Sequence, residues 1–320
     1  VKPDVAIVGA GVAGLVCARV LVDAGHSVVL FDKGRKAGGR LSSRHVGAST
    51  FDHGAAMFTA ASEPFGAVVQ DWHRAGVVER WEGRFVTVDG DGARSAWSVD
   101  PWVGVPTMSA LPRALAEGLD VRAPVRVGAI ERDVRCWRLR GDDGTELGRF
   151  EVVLVNAPAG QAARLLPDPL SAASDVANAS MEPCWAVMMR PAAPWSPGFD
   201  AARFEEGPVA RAYAQASKPG RSEESGWVLH ASAEWTRAHW DDERGAVIAR
   251  LARSVGAPTT FAFVQAHRWR YASAGAGVPG GCLWDAATKV GACGDWCSGR
   301  GVEHAWRSGM AMARRVLQPC

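Results

Sequence analysis

Lysine and tyrosine are scarce in this sequence. The lysines are Lys2, Lys33, Lys36, Lys218 and Lys289, so arginine carries most of the positive charge. We read that bias as genomic base composition rather than function. Tyr213 and Tyr271 are the only tyrosines, against fourteen tryptophans. An excess of one charge is also missing: 36 basic and 34 acidic residues leave a net +2, with no general attraction to nucleic acid or an anionic membrane. No apolar run approaches the roughly eighteen residues of a membrane span. The N-terminus enters an apolar strand within four residues and has no charged, apolar and cleavage regions of a secretory leader. A cytoplasmic protein is therefore expected. The seven cysteines include no CxxC; Cys293 and Cys297 lie closest, and no second pair or histidine doublet completes a zinc site. Reduced thiols and no metal are the expectation.

A chain of 320 residues suffices for one large or two interleaved domains with a real core. Most of the tryptophans are expected to fill that core. The first stretch, "DVAIVGAGVAGLVCARVLVDAGHSVVLFDK", reads as strand, turn, helix, strand. Val5 to Val8 form an uninterrupted apolar run, as a buried parallel strand should. Gly9, Gly11 and Gly14 make G-x-G-x-x-G: a tight turn, room for a pyrophosphate, and close packing of helix on sheet. The spacing predicts a helix from about Val12 to Ala24, its positive end facing the phosphates and Gly25 at its C-terminus. Asp32 closes the second strand, eighteen residues past Gly14, where a carboxylate can hold a ribose diol. Together these features predict an adenine dinucleotide.

The next residues, "DKGRKAGGRLSSR" (32–44), hold three glycines and five basic residues. Gly38 and Gly39 allow the chain to cross back close to the pyrophosphate, and Arg40 offers it a guanidinium fork. Lys33, Arg35 and Lys36 read as a solvated basic turn.

Asp32 followed by Gly38-Gly39-Arg40, after G-x-G-x-x-G, resembles the flavoprotein amine oxidase superfamily. Three further segments carry the same resemblance: "FDHGAAMFTA" (51–60), "VRAPVRVGAIERDVRCWRLRGDDG" with "FEVVLVNAPA" (121–159), and "VGACGDWCSGRGVEHAWRSGMAMA" (290–313). Within that superfamily, "MEPCWAVMMRP" (181–191) and "AHRWRYASA" (266–274) look like the renalase-like group. The resemblance implies noncovalent FAD as cofactor. It places Gly11 and Gly14 at the pyrophosphate, Asp32 at the ribose, Arg40 at the diphosphate, and Ala55 and Ala56 beside the isoalloxazine. Val127 would pair its backbone with adenine, Asp295 would bind the ribityl or pyrophosphate region, and Val302 and its neighbours would present N–H groups to the flavin's pyrimidine edge. Gly9, Ala13, Lys33, Gly39, Leu41, Met57, Gly294 and Ala305 complete the implied contact set.

The implied fold is α/β: a Rossmann-type FAD-binding domain with an interleaved α+β substrate domain carrying a mostly antiparallel sheet. Residues 1–60, 120–165 and 276–320 are assigned to the first domain, and 61–119 and 166–275 to the second. Within the second, "DDERGAVIARLARSVG" (241–256) predicts an amphipathic helix with Val247, Ile248, Leu251 and Val255 on one face. "ASKPGRSEESG" (216–226) reads as a polar, mobile loop. At the C-terminus, Ala305, Gly309, Met312, Ala313 and Val316 share one face of a helix running to about Leu317.

Two reactions compete. Amine oxidases of this superfamily commonly frame a neutral amine with aromatic rings, often Tyr, and often carry a Lys near flavin N5. Two tyrosines fit that poorly, although Trp269, Trp284 or Trp296 can replace them beside Tyr271; Lys289 reads as a solvated strand end. A dihydropyridine needs only a flat pocket, because losing hydride makes it aromatic. The renalase-like resemblance implies this second reaction: oxidation of 2- or 6-dihydro isomers of NAD(P)H to NAD(P)+, with oxygen reduced to hydrogen peroxide. A small-molecule substrate and oxygen are then the partners, without nucleic acid or membrane, for a monomer. His230 is the candidate to face the pocket from the substrate sheet; His53 and His304 read as packing or hydrogen-bonding residues, and Arg190 and Arg270 as salt-bridge formers. A third class stays open: a flavin-binding redox sensor without turnover.

Overall fold

The computed structural model describes residues 4–168, 170, 176, 179–275 and 277–318. The expected boundary residue 276 and part of the expected 166–275 segment lie outside them. The chain divides into two units, the first of residues 1–40, 112–181 and 273–320, the second of 41–111 and 182–272. The second unit thus takes in residues 41–60, which the sequence reading placed with the nucleotide domain. The reason is local: Ser49 Oγ donates to Glu224 O, Thr50 N–H to Ser225 Oγ, and Asp52 N–H to Gln215 Oε1. Conversely, residues 112–119 join the first unit. Arg19 Nε donates to Leu115 O at 2.9 Å, and Leu115, Ala116 and Leu119 pack on the first unit's core.

The first unit is built on a six-stranded sheet ordered Leu283–Asp285, Val290–Ala292, Val152–Val155, Val5–Val8, Val28–Phe31, Asp120–Arg122. The pairs from Val290–Ala292 through to Asp120–Arg122 are parallel. The central strand is buried on both faces, and its period of two splits it between two cores. Val5 and Ile7 meet Leu15, Leu21, Met312 and Ala313 of the helices Val12–Asp23 and Val302–Leu317. Ala6 and Val8 share the other core with Trp137 and Phe150, from an antiparallel meander of Val127–Arg132, Trp137–Gly141 and Glu146–Phe150.

The second unit's sheet has seven strands in the order Phe261–Ala274, Met181–Pro191, Trp227–Ala231, Val209–Ala214, Ala201–Phe204, Phe85–Val88, Arg94–Ala96. One parallel pair, Ala201–Phe204 with Phe85–Val88, interrupts an otherwise antiparallel set among the registered pairs. Val187, Met189, Trp227, Leu229 and Ala231 point to one face, where the helix Arg244–Ser254 covers them with Val247 and Leu251. Met188 and Val228 point to the other, beneath Phe51 and Phe263. The segment after Phe51 therefore lies on that second face, which also carries His230.

Candidate cofactor-binding and active site

At the carboxyl end of the Val5–Val8 strand the chain turns through Gly9 at φ 107°, where a Cβ would stand 2.0 Å from Asn156 O. Asn156 Nδ2 in turn donates to Gly9 O at 3.0 Å. Gly11 starts the helix with no side-chain cap, so its first-turn N–H groups have no local side-chain acceptor. A Cβ at Gly14 would lie 2.5 Å from both Gly9 O and Asn156 Nδ2. Asp32 Oδ2 accepts from Ala10 N–H at 2.7 Å and Oδ1 from Gly34 N–H at 2.6 Å. Each oxygen keeps a second lone pair for a ribose hydroxyl. Gly38 N–H donates to Ala10 O at 2.9 Å, and Gly39, at φ 53°, stands against Gly11 Cα. The glycine pair thus crosses back over the loop.

Arg40 and Asp295 meet in a fork, Nη1–Oδ2 2.9 Å and Nη2–Oδ1 2.5 Å. The carboxylate is buried, so the guanidinium neutralises it as well as standing at the loop. The second glycine-led helix, Val302–Leu317, also begins without a side-chain cap, at Gly301 with φ 106°. It crosses the first helix closely enough that a Cβ on Gly309 would be 2.3 Å from Ala13 O. Val302 is buried and Ala305 packs on the same core as Ala13. An adenine dinucleotide fits these residues. The loop turns on glycines at positions 9, 11 and 14, two helix N-termini lack side-chain caps, and a carboxylate stands at the end of the second strand, beside the reversal of strand order.

Other expected residues fall out differently. Val127 begins the Val127–Arg132 strand, buried and registered with Gly141. Lys33 Nζ donates to Gln161 Oε1 at 2.8 Å, and burial followed by the nearby Arg126 lowers its pKa. Trp296 is 1% exposed within the first unit's core, its Nε1 donating to Ala157 O at 2.9 Å. It is a core residue, not a pocket wall. Trp284 packs against the other core of that unit, on the edge strand Leu283–Asp285. The reason is the same for both: the sheet needs large side chains where its faces meet the meander and the helices. Lys289 is the strand end expected, with Glu151 at 3.8 Å.

In the second unit the structure gathers a cluster. Trp269 Nε1 donates to His53 O at 2.9 Å, and His230 Nε2 stands 3.3 Å from the same oxygen. A carbonyl only accepts, so His230 carries its proton on Nε2. The His53 ring stacks on Trp269 at 5.4 Å and meets His267 edge-on at 5.2 Å; Tyr213 meets His230 edge-on at 5.5 Å. Burial lowers both His53 and His230 to about 4. It pushes Tyr213 up to about 12. Tyr271 follows Trp269 by two residues on the same strand, so it shares that face. Ala55 and Met57 are half-buried, while Leu41 and Ala56 are buried.

Beside this cluster lies a group that the sequence reading missed. The loop 216–226, read as polar and mobile, buries the side chains of Lys218 and Arg221 completely. Both pair with Asp52 Oδ2, Lys218 at 3.1 Å and Arg221 at 2.6 Å. Asp52 also accepts from Ser43 Oγ and Met108 N–H on Oδ1, at 2.6 and 3.0 Å. Burial opposes the carboxylate's charge, but the two cations outweigh it and hold its pKa down to about 2. The available sequence signal was scarcity: Lys218 is one of five lysines, set next to a Pro-Gly turn.

A family profile described as an NAD(P)-binding Rossmann-like domain matches residues 7–74, and one described as flavin containing amine oxidoreductase matches residues 100–317. Among solved structures, the chain is similar to a protein described as a candidate protoporphyrinogen oxidase from Exiguobacterium sp. 255-15 (TM-score 0.73, 14% identity, 99% of each chain covered). It is likewise similar to wild-type putrescine oxidase bound to putrescine (TM-score 0.69, 14% identity, 99% of each chain) and to a redesigned double mutant of that oxidase (0.71, 14%, 99% of each). At such identity the likeness is one of fold.

Proposed function

Because the chain belongs to the flavin-containing amine oxidoreductase family and its cofactor is FAD, we propose that it oxidises 2- or 6-dihydro isomers of NAD(P)H to NAD(P)+. When bound, FAD supplies hydride acceptance at N5, and oxygen with one proton then yields hydrogen peroxide. The observation that carries this reading is the state of the second unit's basic groups. His53 and His230 have pKa values near 4, so both are weak bases at neutral pH. The buried amine of Lys218 already donates to Asp52, Ala56 O and Gln215 Oε1. A dihydropyridine needs no base. It needs a flat wall, and Trp269 with the His53 ring stacked on it supplies one. In this reading Trp269, Tyr271 and His230 orient the ring, and residues 52–57 run along the flavin.

Amine oxidation is the second reading. Trp269 and Tyr271 project from one face of a strand, as two rings framing an amine would. The fold is shared with an oxidase whose structure holds putrescine.

The two are separated by anaerobic mixing. Borohydride reduction of NAD+ gives a mixture that contains the 2- and 6-dihydro isomers. We expect these to bleach the visible flavin band quickly, with NADH, benzylamine and putrescine far slower. NADH carries its hydride on carbon 4, and about 1 Å of misplacement can cost about a hundredfold in rate. Rapid bleaching by an amine with the isomers inert would overturn the proposal. Bleaching by none of them would leave the non-catalytic sensor.

A further inference from the structure

Lys218 is fully buried, and the reaction proposed above does not use it chemically. Its ammonium has three protons and three acceptors: Asp52 Oδ2 at 3.1 Å, Ala56 O at 2.8 Å and Gln215 Oε1 at 3.2 Å. Asp52 and Ala56 are the two ends of one five-residue segment. Between them, His53 O receives Trp269 Nε1, with His230 Nε2 3.3 Å away. The segment is thus tied to the loop at both ends and to the sheet in its middle. Gln215 Oε1, which takes the third donor, also accepts the Asp52 N–H, so one oxygen holds both the Lys218 ammonium and the Asp52 backbone.

The charge balance shows that this is more than packing. Asp52 brings one negative charge and Lys218 with Arg221 bring two positive charges, all three side chains at 0% exposure. Arg221 is held independently, by Asp52 and by the carbonyls of Gly104, Pro106 and Pro219. Asp52 and Arg221 would therefore balance without Lys218. The other groups facing the ammonium add no anion. Tyr213 is un-ionised and the His230 imidazole neutral, and the Trp81 ring lies 5.2 Å from Nζ. Burying an excess cation is unfavourable, and burial first, then Arg221, lowers the Lys218 pKa to about 8 against the pull of Asp52. A fold that keeps such a charge gives up stability to keep its hydrogen bonds.

We infer that Lys218 is a positioning residue, whose ammonium clamps the Asp52–Ala56 segment at both ends and so fixes the His53 carbonyl on which Trp269 and His230 converge. Its effect on catalysis rests on the reading that residues 52–57 run along the flavin.

The test uses the holoenzyme with Lys218→Met, which keeps length and volume and removes charge and donors. The Trp269 indole N–H is followed by nuclear magnetic resonance, its peak assigned with Trp269→Phe. We expect the variant to fold with an equal or higher Tm, the indole peak to move, and kcat to fall by about a hundredfold, with KM changed far less. In the unmutated enzyme the indole peak should move reversibly with a midpoint near pH 8, as the ammonium loses one donor, and Lys218→Met should lack that transition. Lys218→Arg should recover part of kcat. A lower Tm or an unfolded variant, or an indole peak that ignores both the mutation and the pH, would overturn the clamp. A moved indole peak with unchanged visible circular dichroism of the flavin would uphold the clamp and take the segment away from the flavin.

Discussion

Single side chains in this protein are decided by what surrounds them. His53 and His230 stay neutral because burial removes the water that would stabilise their charge. Their folded values, near 4, lie below the ordinary 6.5, so between those values the unfolded chain binds more protons. Stability from these groups is therefore complete above pH 6.5 and is lost as pH falls toward 4, on the order of 3 kcal/mol for a fully buried ring. Urea midpoints should fall over that range, and His53→Gln should flatten the fall. A slope unchanged in that variant would place the acid sensitivity elsewhere. Arg40 makes a different case. Arg40→Ala would leave Asp295 buried and unpaired, so we expect a loss of about 3 kcal/mol in urea unfolding, with weakened FAD retention. Arg40→Ala combined with Asp295→Ala should recover part of the stability and none of the retention.

Among the elements, two helices depend on the absence of side chains. Gly14 lets the Val12–Asp23 helix settle on its strand, and Gly309 lets the Val302–Leu317 helix cross it at Ala13. Gly14→Val should strip FAD during purification, because the new side chain must push the helix off Gly9 and Asn156. Absorbance of the purified protein measures this directly. The Val302–Leu317 helix begins with no side-chain cap, and a helix N-terminus favours nearby negative charge by about 0.3–1 kcal/mol. We therefore expect an anionic reduced flavin at neutral pH, read from its spectrum after dithionite; a neutral reduced spectrum would refute it. The loop 216–226 shows the opposite dependence. Its letters are polar, yet it buries two cations, because Asp52 reaches it from a distant part of the chain.

At the scale of the whole molecule, we expect the cofactor to be held noncovalently. Cys297 belongs to the 290–313 segment that carries the family resemblance, and it is buried, with its Sγ 3.8 Å from Ala292 O and its thiol pKa raised by burial. A thiolate for covalent attachment is not available there. Acid precipitation should leave FAD in the supernatant, and yellow colour in the pellet would refute noncovalent binding. Among the described residues no helix is long and apolar enough to cross a membrane, and no group of three or more His, Cys, Asp and Glu could hold a metal.

What the sequence determined by itself was the nucleotide end. Gly9, Gly11, Gly14, Asp32, Gly38 and Gly39 fall within about thirty residues, and the steric rules that give each its role act between chain neighbours. The helices Arg244–Ser254 and Val302–Leu317 were legible for the same reason, since a 3.6-residue period is local. Only the tertiary structure decided which tryptophans gather at the candidate site and which fill a core. Trp296 meets Ala157 across 139 positions and Trp269 meets His53 across 216. It alone made Lys218 a candidate, by setting Asp52 against it from 166 residues away. Burial and ion pairing at such separations depend on how the strands are ordered in their sheets, and no local pattern of residues carries that order.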